Sequence, residues 1–280
     1  MSDPTVEETL EAIRGLAAGF SGTLGVWARS LDSGQTLAWN ADQVFPAASA
    51  IKLPILYEVF RQAGDGRFDL GDVRVLRADD VVGGSGVLKD LTPGLALTVR
   101  DLATLMIAVS DNTATNMLID LVGVEAVNAS CERLGLRQTR LEHKMMLAPA
   151  GAPPNRSSPA DLGHLMALIA ERRVLAPEVC DQMLAILDRQ HFTDLITRRL
   201  EAYDGYVEPG TEPVVRVASK SGAIRGTRND VGYVRARGRR YVISMMSAGC
   251  ADRRFYADNE AARLLPEVSR LVYRLFVEEE

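Results

Sequence analysis

The chain has 280 residues, of which 47% are hydrophobic and 25% charged, and its formal net charge is −5. These are ordinary values for a globular protein, so neither a disordered chain nor a fibre is indicated. No apolar run reaches the length of a membrane-spanning helix, and the acidic balance argues against nucleic acid as a partner. The length allows one large domain with a substantial core.

The three cysteines, Cys131, Cys180 and Cys250, lie far apart and form no metal-ligand spacing with the histidines. The sequence therefore predicts free thiols, no metal site and no cofactor. The N-terminus is acidic and lacks the basic and apolar segments of a signal peptide. A cytoplasmic protein is expected, although an exported protein whose leader had been removed would begin in the same way. The oligomeric state is left open.

Apolar periodicity divides the chain into helices and strands. It predicts a helix over residues 4–20 and then two strands over 22–31 and 35–40, joined by a hairpin turn. The predicted central helices cover residues 49–63, 98–109, 113–122, 124–134 and, in several pieces, 158–200. At the C-terminal end the pattern predicts strands over 214–221, 231–236 and 241–247 and a helix over 251–277, with Pro266 as a kink.

This order places strands at both ends of the chain and helices between them. Such an arrangement is typical of an α/β (α+β) protein in which the two termini build one sheet. We therefore expect a single domain over residues 1–280. Its sheet-bearing lobe would comprise 1–40 and 209–280, and a mostly helical lobe would be inserted at 41–208.

Lysine is rare in this chain. Of the 32 basic residues, only Lys52, Lys89, Lys144 and Lys220 are lysines. An arginine guanidinium stays protonated in proteins, whereas a buried lysine amine can lose its proton. Two of the four lysines lie in short segments that also carry hydroxyl groups.

Three such segments stand out. Ser-x-x-Lys at residues 49–52 places a hydroxyl and an amine one turn apart at a predicted helix start. Ser-Asp-Asn at 110–112 separates two predicted helices, and Lys-Ser-Gly at 220–222 ends a predicted strand. Each alone has an ordinary structural explanation, as a cap, a helix stop or a strand end. In this order and on these elements, they are much more specific.

Together the three segments resemble the motif set of the penicillin-recognising serine enzymes, and within them the class A β-lactamases. The third motif of that set is Lys-Thr-Gly, and the Lys-Ser-Gly found here keeps both amine and hydroxyl. The resemblance covers nearly the whole chain. It implies a β-lactamase/transpeptidase-like fold, in which a five-stranded antiparallel sheet is flanked by terminal helices and faces a mostly helical lobe across the site. It also implies a small-molecule substrate, a β-lactam or another ester or amide, that bears a carboxylate.

The resemblance also implies roles for the motif residues. Ser49 would be the nucleophile, and Lys52 its base if burial and a nearby cation lower the lysine pKa. Lys220 would be that cation and would also attract the substrate carboxylate. Ser110 would relay a proton to the leaving nitrogen.

The remaining predicted site residues would bind substrate. Asn112 would hold an amide side chain, and the backbone N–H groups of Ser49 and Ala223 would form the oxyanion hole. Ser221 and Gly222 complete the third motif. Arg228 resembles the family arginine that binds the substrate carboxylate, in an alignment that needs a one-residue gap.

A Ser-His-Asp system is the rival for nucleophilic catalysis. The chain has no Gly-x-Ser-x-Gly segment, since Ser85 is followed by Gly86 and Val87. His164 lies in an apolar run and is interpreted as a structural histidine. Only His143, in the long loop 140–157, is kept as a site candidate.

That loop is where the resemblance fails. Class A enzymes carry there a glutamate that activates water to release the acyl group. Residues 139–141 align with the start of the loop, but Met145 falls where the glutamate belongs and Pro149 where its asparagine partner belongs. A thioether cannot take a proton from water. Glu142 and His143 are the nearest alternative deacylating groups.

Three hypotheses follow from this departure. In the first, the protein is a β-lactamase-like hydrolase that opens the β-lactam ring and deacylates slowly. In the second, it is an esterase, amidase or peptidase of the same fold with a different substrate. In the third, it binds β-lactam-like or peptide ligands without turnover. The three intact motifs favour catalysis.

Overall fold

The structure is a computed structural model, and it describes residues 4–205 and 210–277. The boundary between the two lobes expected at 208/209 therefore lies outside the described residues. Within them, no helix is long and apolar enough to cross a membrane.

The helices and the strands of the main sheet follow the order predicted from the sequence, whereas four short strands at 45–46, 73–75, 96–98 and 156–157 were not predicted. The helices are α1 (Val6–Ala18), α2 (Lys52–Gly64), α3 (Val99–Ala108), α4 (Asn112–Val122), α5 (Val124–Arg133), α6 (Pro159–Ala170), α7 (Pro177–Leu187), α8 (Asp194–Thr197) and α9 (Glu260–Phe276). The strands are β1 (Thr23–Ser30), β2 (Thr36–Trp39), β3 (Phe45–Pro46), β4 (Val73–Val75), β5 (Ala96–Thr98), β6 (Arg156–Ser157), β7 (Val215–Ile224), β8 (Thr227–Ala236) and β9 (Arg239–Ala248).

The two ends of the chain build one antiparallel sheet. Its strand order is β2-β1-β9-β8-β7, so β1 pairs with β9 along its full length, from Thr23 opposite Ala248 to Ser30 opposite Tyr241. This confirms the predicted five-stranded antiparallel sheet and the α/β class. Strand β7, which carries the Lys-Ser-Gly motif, lies at the edge of the sheet.

The sheet separates two hydrophobic cores because alternate residues of a strand face opposite sides. On β9, Val242 belongs to the core formed with α2 to α7, whereas Ile243 belongs to the core formed with α1 and α9. The sheet is thus covered by terminal helices on one face and by the central helices on the other. The edge strand β7 lies next to the short turn that precedes α2.

The starts of β8 and α9 differ most from the predicted boundaries. Strand β8 begins at Thr227 and not at 231, because the polar residues 227–230 pair with β7 from Ile224 back to Ser221. Helix α9 begins at Glu260 and not at 251, because Asn259 caps it by accepting from the N–H groups of Ala261 and Ala262.

Pro266 lies inside α9, as predicted, and has no N–H to donate to the carbonyl of Ala262. The guanidinium of Arg198 supplies the missing donor, with Nη1 at 2.9 Å from that carbonyl oxygen. The same atom donates to the carbonyl of Ala257 at 3.1 Å. The segment that precedes α9 is therefore fastened to the end of α8.

Candidate active site

Ser49 lies in a single 3-10 turn, Ala48–Ile51, immediately before α2. The sequence placed it at the start of the helix itself, but the regular α-helix begins only at Lys52. Ala48 has a φ of 47°, which a residue with a Cβ adopts only when its surroundings impose it. The side chain of Asn229 supplies that restraint, since its Nδ2 donates to the carbonyls of Pro46 (2.8 Å) and Ala47 (3.0 Å).

Lys52 is fully buried one turn after Ser49. Its Nζ donates to the Ser110 carbonyl (2.7 Å), the Ser110 hydroxyl (3.1 Å) and Asn112 Oδ1 (2.9 Å). Burial and, next, the positive charge of Lys220 hold the pKa of Lys52 well below its ordinary value, against the opposing effect of Asp111. The sequence prediction that these two lysines share one site therefore agrees with the charges around Lys52.

Ser110 lies between α3 and α4 with a φ of 55°, so this turn also adopts a conformation that ordinary residues rarely accept. Asp111 fixes the turn from both sides. One carboxylate oxygen accepts from the N–H of Ala114, which caps α4, and the other accepts from Val87 (2.7 Å) and Leu88 (2.8 Å). The Ser-Asp-Asn segment is thereby tied to the glycine-rich loop, two residues of which line the cavity.

Lys220 is fully buried on β7, and its Nζ donates to the carbonyl of Ser221 at 2.7 Å. Burial lowers the pKa of Lys220 to about 7, although the nearby carboxylate of Asp230 acts in the opposite direction. Asp230 lies on β8 opposite Ser221 and is itself buried, which raises its pKa well above the ordinary value. A buried lysine of this kind is positively charged only below neutral pH.

Gly222 explains how the edge strand approaches the nucleophile. A Cβ at this position would lie 2.8 Å from both the Ser49 and the Ala50 backbone nitrogens. Only glycine leaves room for this contact between β7 and the 3-10 turn. The backbone of Ser49 and that of Ala223, one residue along β7, are therefore neighbours.

A cavity of about 1140 Å³ opens above these groups. The predicted site residues that line it are Ser49, Ser110, Asn112, His143, Ser221, Gly222, Ala223 and Arg228. Lys52 and Lys220 lie buried behind Ser110 and Ser221, with which they form hydrogen bonds. The three motifs thus meet at one site, although 171 positions separate residue 49 from residue 220 in the sequence.

Arg228 lines the cavity but uses most of its donors within the protein. Its Nη1 donates to the carbonyls of Ile224 (3.0 Å) and Thr227 (2.8 Å), and its Nη2 donates to that of Arg254 (2.6 Å). The ring of Phe255 covers one face of the guanidinium, at 4.8 Å from the ring centroid. The side chain therefore braces the end of β7 more than it projects toward a ligand.

Met145 lines the cavity from the loop 140–157 and is 8% exposed. Asn116 holds its backbone at both polar atoms: Met145 N–H donates to Asn116 Oδ1 (2.8 Å), and Asn116 Nδ2 donates to the Met145 carbonyl (3.0 Å). The side chain of Met145 also packs in the hydrophobic core formed with α2 to α7, so the thioether forms part of the cavity wall.

The two alternative deacylation candidates lie in different environments. The carboxylate of Glu142 pairs with Arg156 (2.6 Å) and Arg140 (3.5 Å) and is not among the described cavity-lining residues. His143 lines the cavity, and its Nδ1 lies 2.9 Å from the Lys144 carbonyl. A carbonyl oxygen only accepts, so Nδ1 carries the proton and Nε2 of the neutral ring is left as an acceptor. His164, interpreted as a structural histidine, is exposed on α6 instead.

Sequence reasoning missed Asn116, Asn229 and Asp230. Asn116 follows Asn112 by four residues on α4, so a shared helix face was a signal for it. Asn229 and Asp230 fell in a polar stretch that was not predicted to be strand. Their partners lie far away in sequence, so no local pattern could indicate them.

The fold and the arrangement of these groups define a serine enzyme of the class A β-lactamase type. A model of the β-lactamase enzyme family matches residues 7–276 of this chain. The chain belongs to that family, and the sequence prediction of a β-lactamase-type serine hydrolase is confirmed.

Individual relatives agree with this assignment. β-Lactamase 1 of Streptomyces cacaoi is 31% identical over 259 residues, which cover 84% of this chain and 75% of that protein. The solved β-lactamase of Sphaerobacter thermophilus is 33% identical with a TM-score of 0.85, and the match covers 96% of this chain and 97% of that one. The protein PBP-A is 32% identical with a TM-score of 0.84, covering 98% and 97% respectively. A leucine-to-glutamate mutant of PBP-A, similar to this chain to the same degree, was solved as an acyl-enzyme complex with penicillin G.

Proposed function

We propose that this protein opens β-lactam rings by acylation of Ser49 and releases the acyl group slowly. The observation that carries the proposal is the position of the Lys52 amine. It is fully buried one helical turn after Ser49 and forms a hydrogen bond with the Ser110 hydroxyl. We further propose that the chain is one domain, in which the sheet-bearing part (1–40 and 209–280) and the helical part (41–208) face each other across the cavity.

Acylation begins with loss of the Ser49 proton. Lys52 in its neutral form accepts this proton, and burial and the charge of Lys220 favour that form by lowering the pKa of Lys52. The Ser49 oxygen then adds to the β-lactam carbonyl carbon. The backbone N–H groups of Ser49 and Ala223 stabilise the oxyanion, in the close contact that Gly222 permits.

Collapse of the tetrahedral intermediate breaks the carbon–nitrogen bond. The leaving nitrogen takes a proton from the hydroxyl of Ser110, and Lys52 returns to Ser110 the proton it took from Ser49. The hydrogen bond between Lys52 and Ser110 provides the path for this transfer. The proton balance of the step is closed, and Lys52 is neutral again.

Substrate carboxylate and amide groups meet different partners. The positive charge of Lys220, with the Ser221 hydroxyl, attracts the carboxylate, and Arg228 adds to the field. Arg225 lines the cavity as well, and its guanidinium has no partner among the described residues, so it is available to an anion. Asn112 binds the acylamino side chain, since its Nδ2 donates at present only to the Gly83 carbonyl (3.1 Å) and retains a second hydrogen.

We attribute slow deacylation to Met145, which the alignment of the loop puts where the family glutamate belongs. Glu142 is engaged by two arginines, which leaves His143 as the nearer candidate for activating water through Nε2. Hydrolysis of the acyl-enzyme by a base that lies away from the usual position is far slower than formation of the acyl-enzyme.

Intact-mass spectrometry after incubation with penicillin G tests the proposal. We expect a mass increase equal to one penicillin in the wild type and none in Ser49→Ala, with the adduct persisting for much longer than the acylation takes. An unmodified wild-type mass together with no hydrolysis of a chromogenic cephalosporin would overturn it and would favour an ester or amide substrate of another class.

A further inference from the structure

The cavity continues well beyond Ser49, along a wall of large apolar side chains that face solvent. The four side chains of this apolar wall, with their exposed fractions, are Phe192 (47%), Ile224 (42%), Phe255 (59%) and Tyr256 (70%). Single exposed apolar residues are normal on a protein surface, but a cluster of them within a cleft is typical of a ligand-binding surface.

Two arginines fix the segment that carries the aromatic part of this wall. Arg228 donates to the carbonyl of Arg254 and packs against the ring of Phe255. Arg198 donates to the carbonyl of Ala257. This segment was predicted to be helical but is not. The two hydrogen bonds from charged guanidinium groups, to the carbonyls of Arg254 and Ala257, hold its backbone in place. The exposed rings are therefore presented by a fixed scaffold.

The apolar wall and the Asn112 side chain have different neighbours in the cavity. A Cβ at Gly84 would lie 2.5 Å from Asn112 Nδ2 and 3.3 Å from Met146 Sδ, so Asn112 and Met146 are neighbours. The apolar wall instead adjoins Arg228 and the end of β7. In the proposed reaction, Asn112 holds the acylamino part of the substrate. The apolar wall then faces the part attached to the leaving nitrogen.

We propose that the apolar wall is a subsite for an aromatic substituent on the leaving-nitrogen side of the substrate, next to its carboxylate. This inference rests on the proposed acylation of Ser49. An aromatic group at this position would stack on the exposed rings while the carboxylate lies near Lys220 and Arg228. Substrates of the preferred class are therefore anionic β-lactams with an aryl group on the carboxylate-bearing ring.

Two cephalosporins that share one acylamino group test the subsite. One carries an aryl-bearing substituent at C3 and the other a methyl group. The measured quantity is the second-order rate constant for acylation of Ser49, followed by quenched intact-mass spectrometry and divided by the rate of alkaline hydrolysis of each compound. We expect the aryl compound to be preferred about threefold to tenfold, the range for aromatic pairs.

The double variant Phe192→Ala/Tyr256→Ala should reduce this preference, because it removes two of the three exposed rings and leaves only Phe255, which packs against Arg228. Tyr256→Phe keeps a ring and should keep the preference. Val75→Ala, at an exposed valine of β4 that is not in the described lining of the cavity, is the matched control and should also keep it.

An undiminished preference in the double variant would overturn the subsite. So would equal corrected rate constants for the aryl and methyl compounds in the wild type, since no aromatic group would then be recognised at this position. If neither compound acylates the wild type, the proposed function fails instead, and the two failures are thus distinguishable.

Discussion

The turn that bears Ser49 and the loop that bears Met145 face the same cavity but are held in different ways. Around Ser49, the side chains themselves are engaged: Lys52 has three acceptors, and Asn229 clamps the backbone ahead of the nucleophile. In the loop, Asn116 holds only the backbone of Met145. The first region is constrained by hydrogen bonds of particular side chains, whereas the Met145 side chain is held only by apolar packing, which makes position 145 the more exchangeable of the two.

Replacement of Lys52 tests the constrained region and has the largest expected effect. Lys52→Arg keeps the positive charge but cannot supply a neutral base, because a guanidinium stays protonated. We expect the acylation rate constant to fall about 10³-fold, within the range for general acid–base catalysis. Quenched mass spectrometry with penicillin G measures it. Lys89→Arg is the matched control, and an equal loss in both variants would contradict the role of Lys52.

Replacement of Met145 tests the exchangeable region. Met145→Glu should place a carboxylate in the cavity without disturbing the backbone that Asn116 holds, and so supply a base for water. We expect the lifetime of the pre-formed acyl-enzyme to shorten about 10²-fold. Its decay is followed by intact mass after removal of free penicillin.

Leu147→Glu is the control for this experiment, since Leu147 is exposed on the same loop and outside the described lining of the cavity. If Met145→Glu and Leu147→Glu leave the lifetime equally unchanged, the loop does not direct position 145 at the acyl group.

The pKa of Lys220, about 7, makes substrate attraction depend on pH. The folded value lies below that of an ordinary lysine, so the positive charge is present below pH 7 and is lost as the pH rises through it. We expect the binding of a carboxylate-bearing β-lactam to weaken about fivefold between pH 6 and 8.5. The methyl ester of the same compound should show no such trend. Parallel pH profiles for the two compounds would contradict the assignment of the carboxylate to Lys220.

The smallest expected effect concerns Glu142. Because its carboxylate pairs with Arg140 and Arg156, Glu142→Gln should lower the free energy of unfolding by about 1 kcal/mol, measured by urea denaturation. The acyl-enzyme lifetime should stay the same. A longer lifetime would instead identify Glu142 as the deacylating group. Glu132→Gln, at an exposed site on α5, serves as the reference.

The sequence predicted which motif residues meet at one site, because motif residues depend on local spacing. A hydroxyl and an amine three residues apart at a helix start, as at Ser49 and Lys52, must face the same way. The regular alternation of apolar and polar residues likewise predicted that strands from the two ends of the chain form one sheet.

The contacts that set the geometry could not be predicted in the same way. Asn229 reaches a backbone about 180 positions earlier, and the burial of Asp230 follows only from the pairing of β8 with β7. The start of α9 was misplaced by nine residues because helical propensity alone does not reveal that Arg228 and Arg198 hold the preceding backbone in another conformation. Tertiary hydrogen bonds override local preference at these positions.

The proline in α9 has a consequence for the thermodynamics of binding. Pro266 leaves one helical carbonyl without its usual donor, and Arg198 fills that vacancy while it also holds Ala257 beside the cavity. The conformational entropy of this part of the cavity is therefore lost during folding and not when a substrate arrives. The proline in this helix thereby reduces the ordering that association would otherwise require.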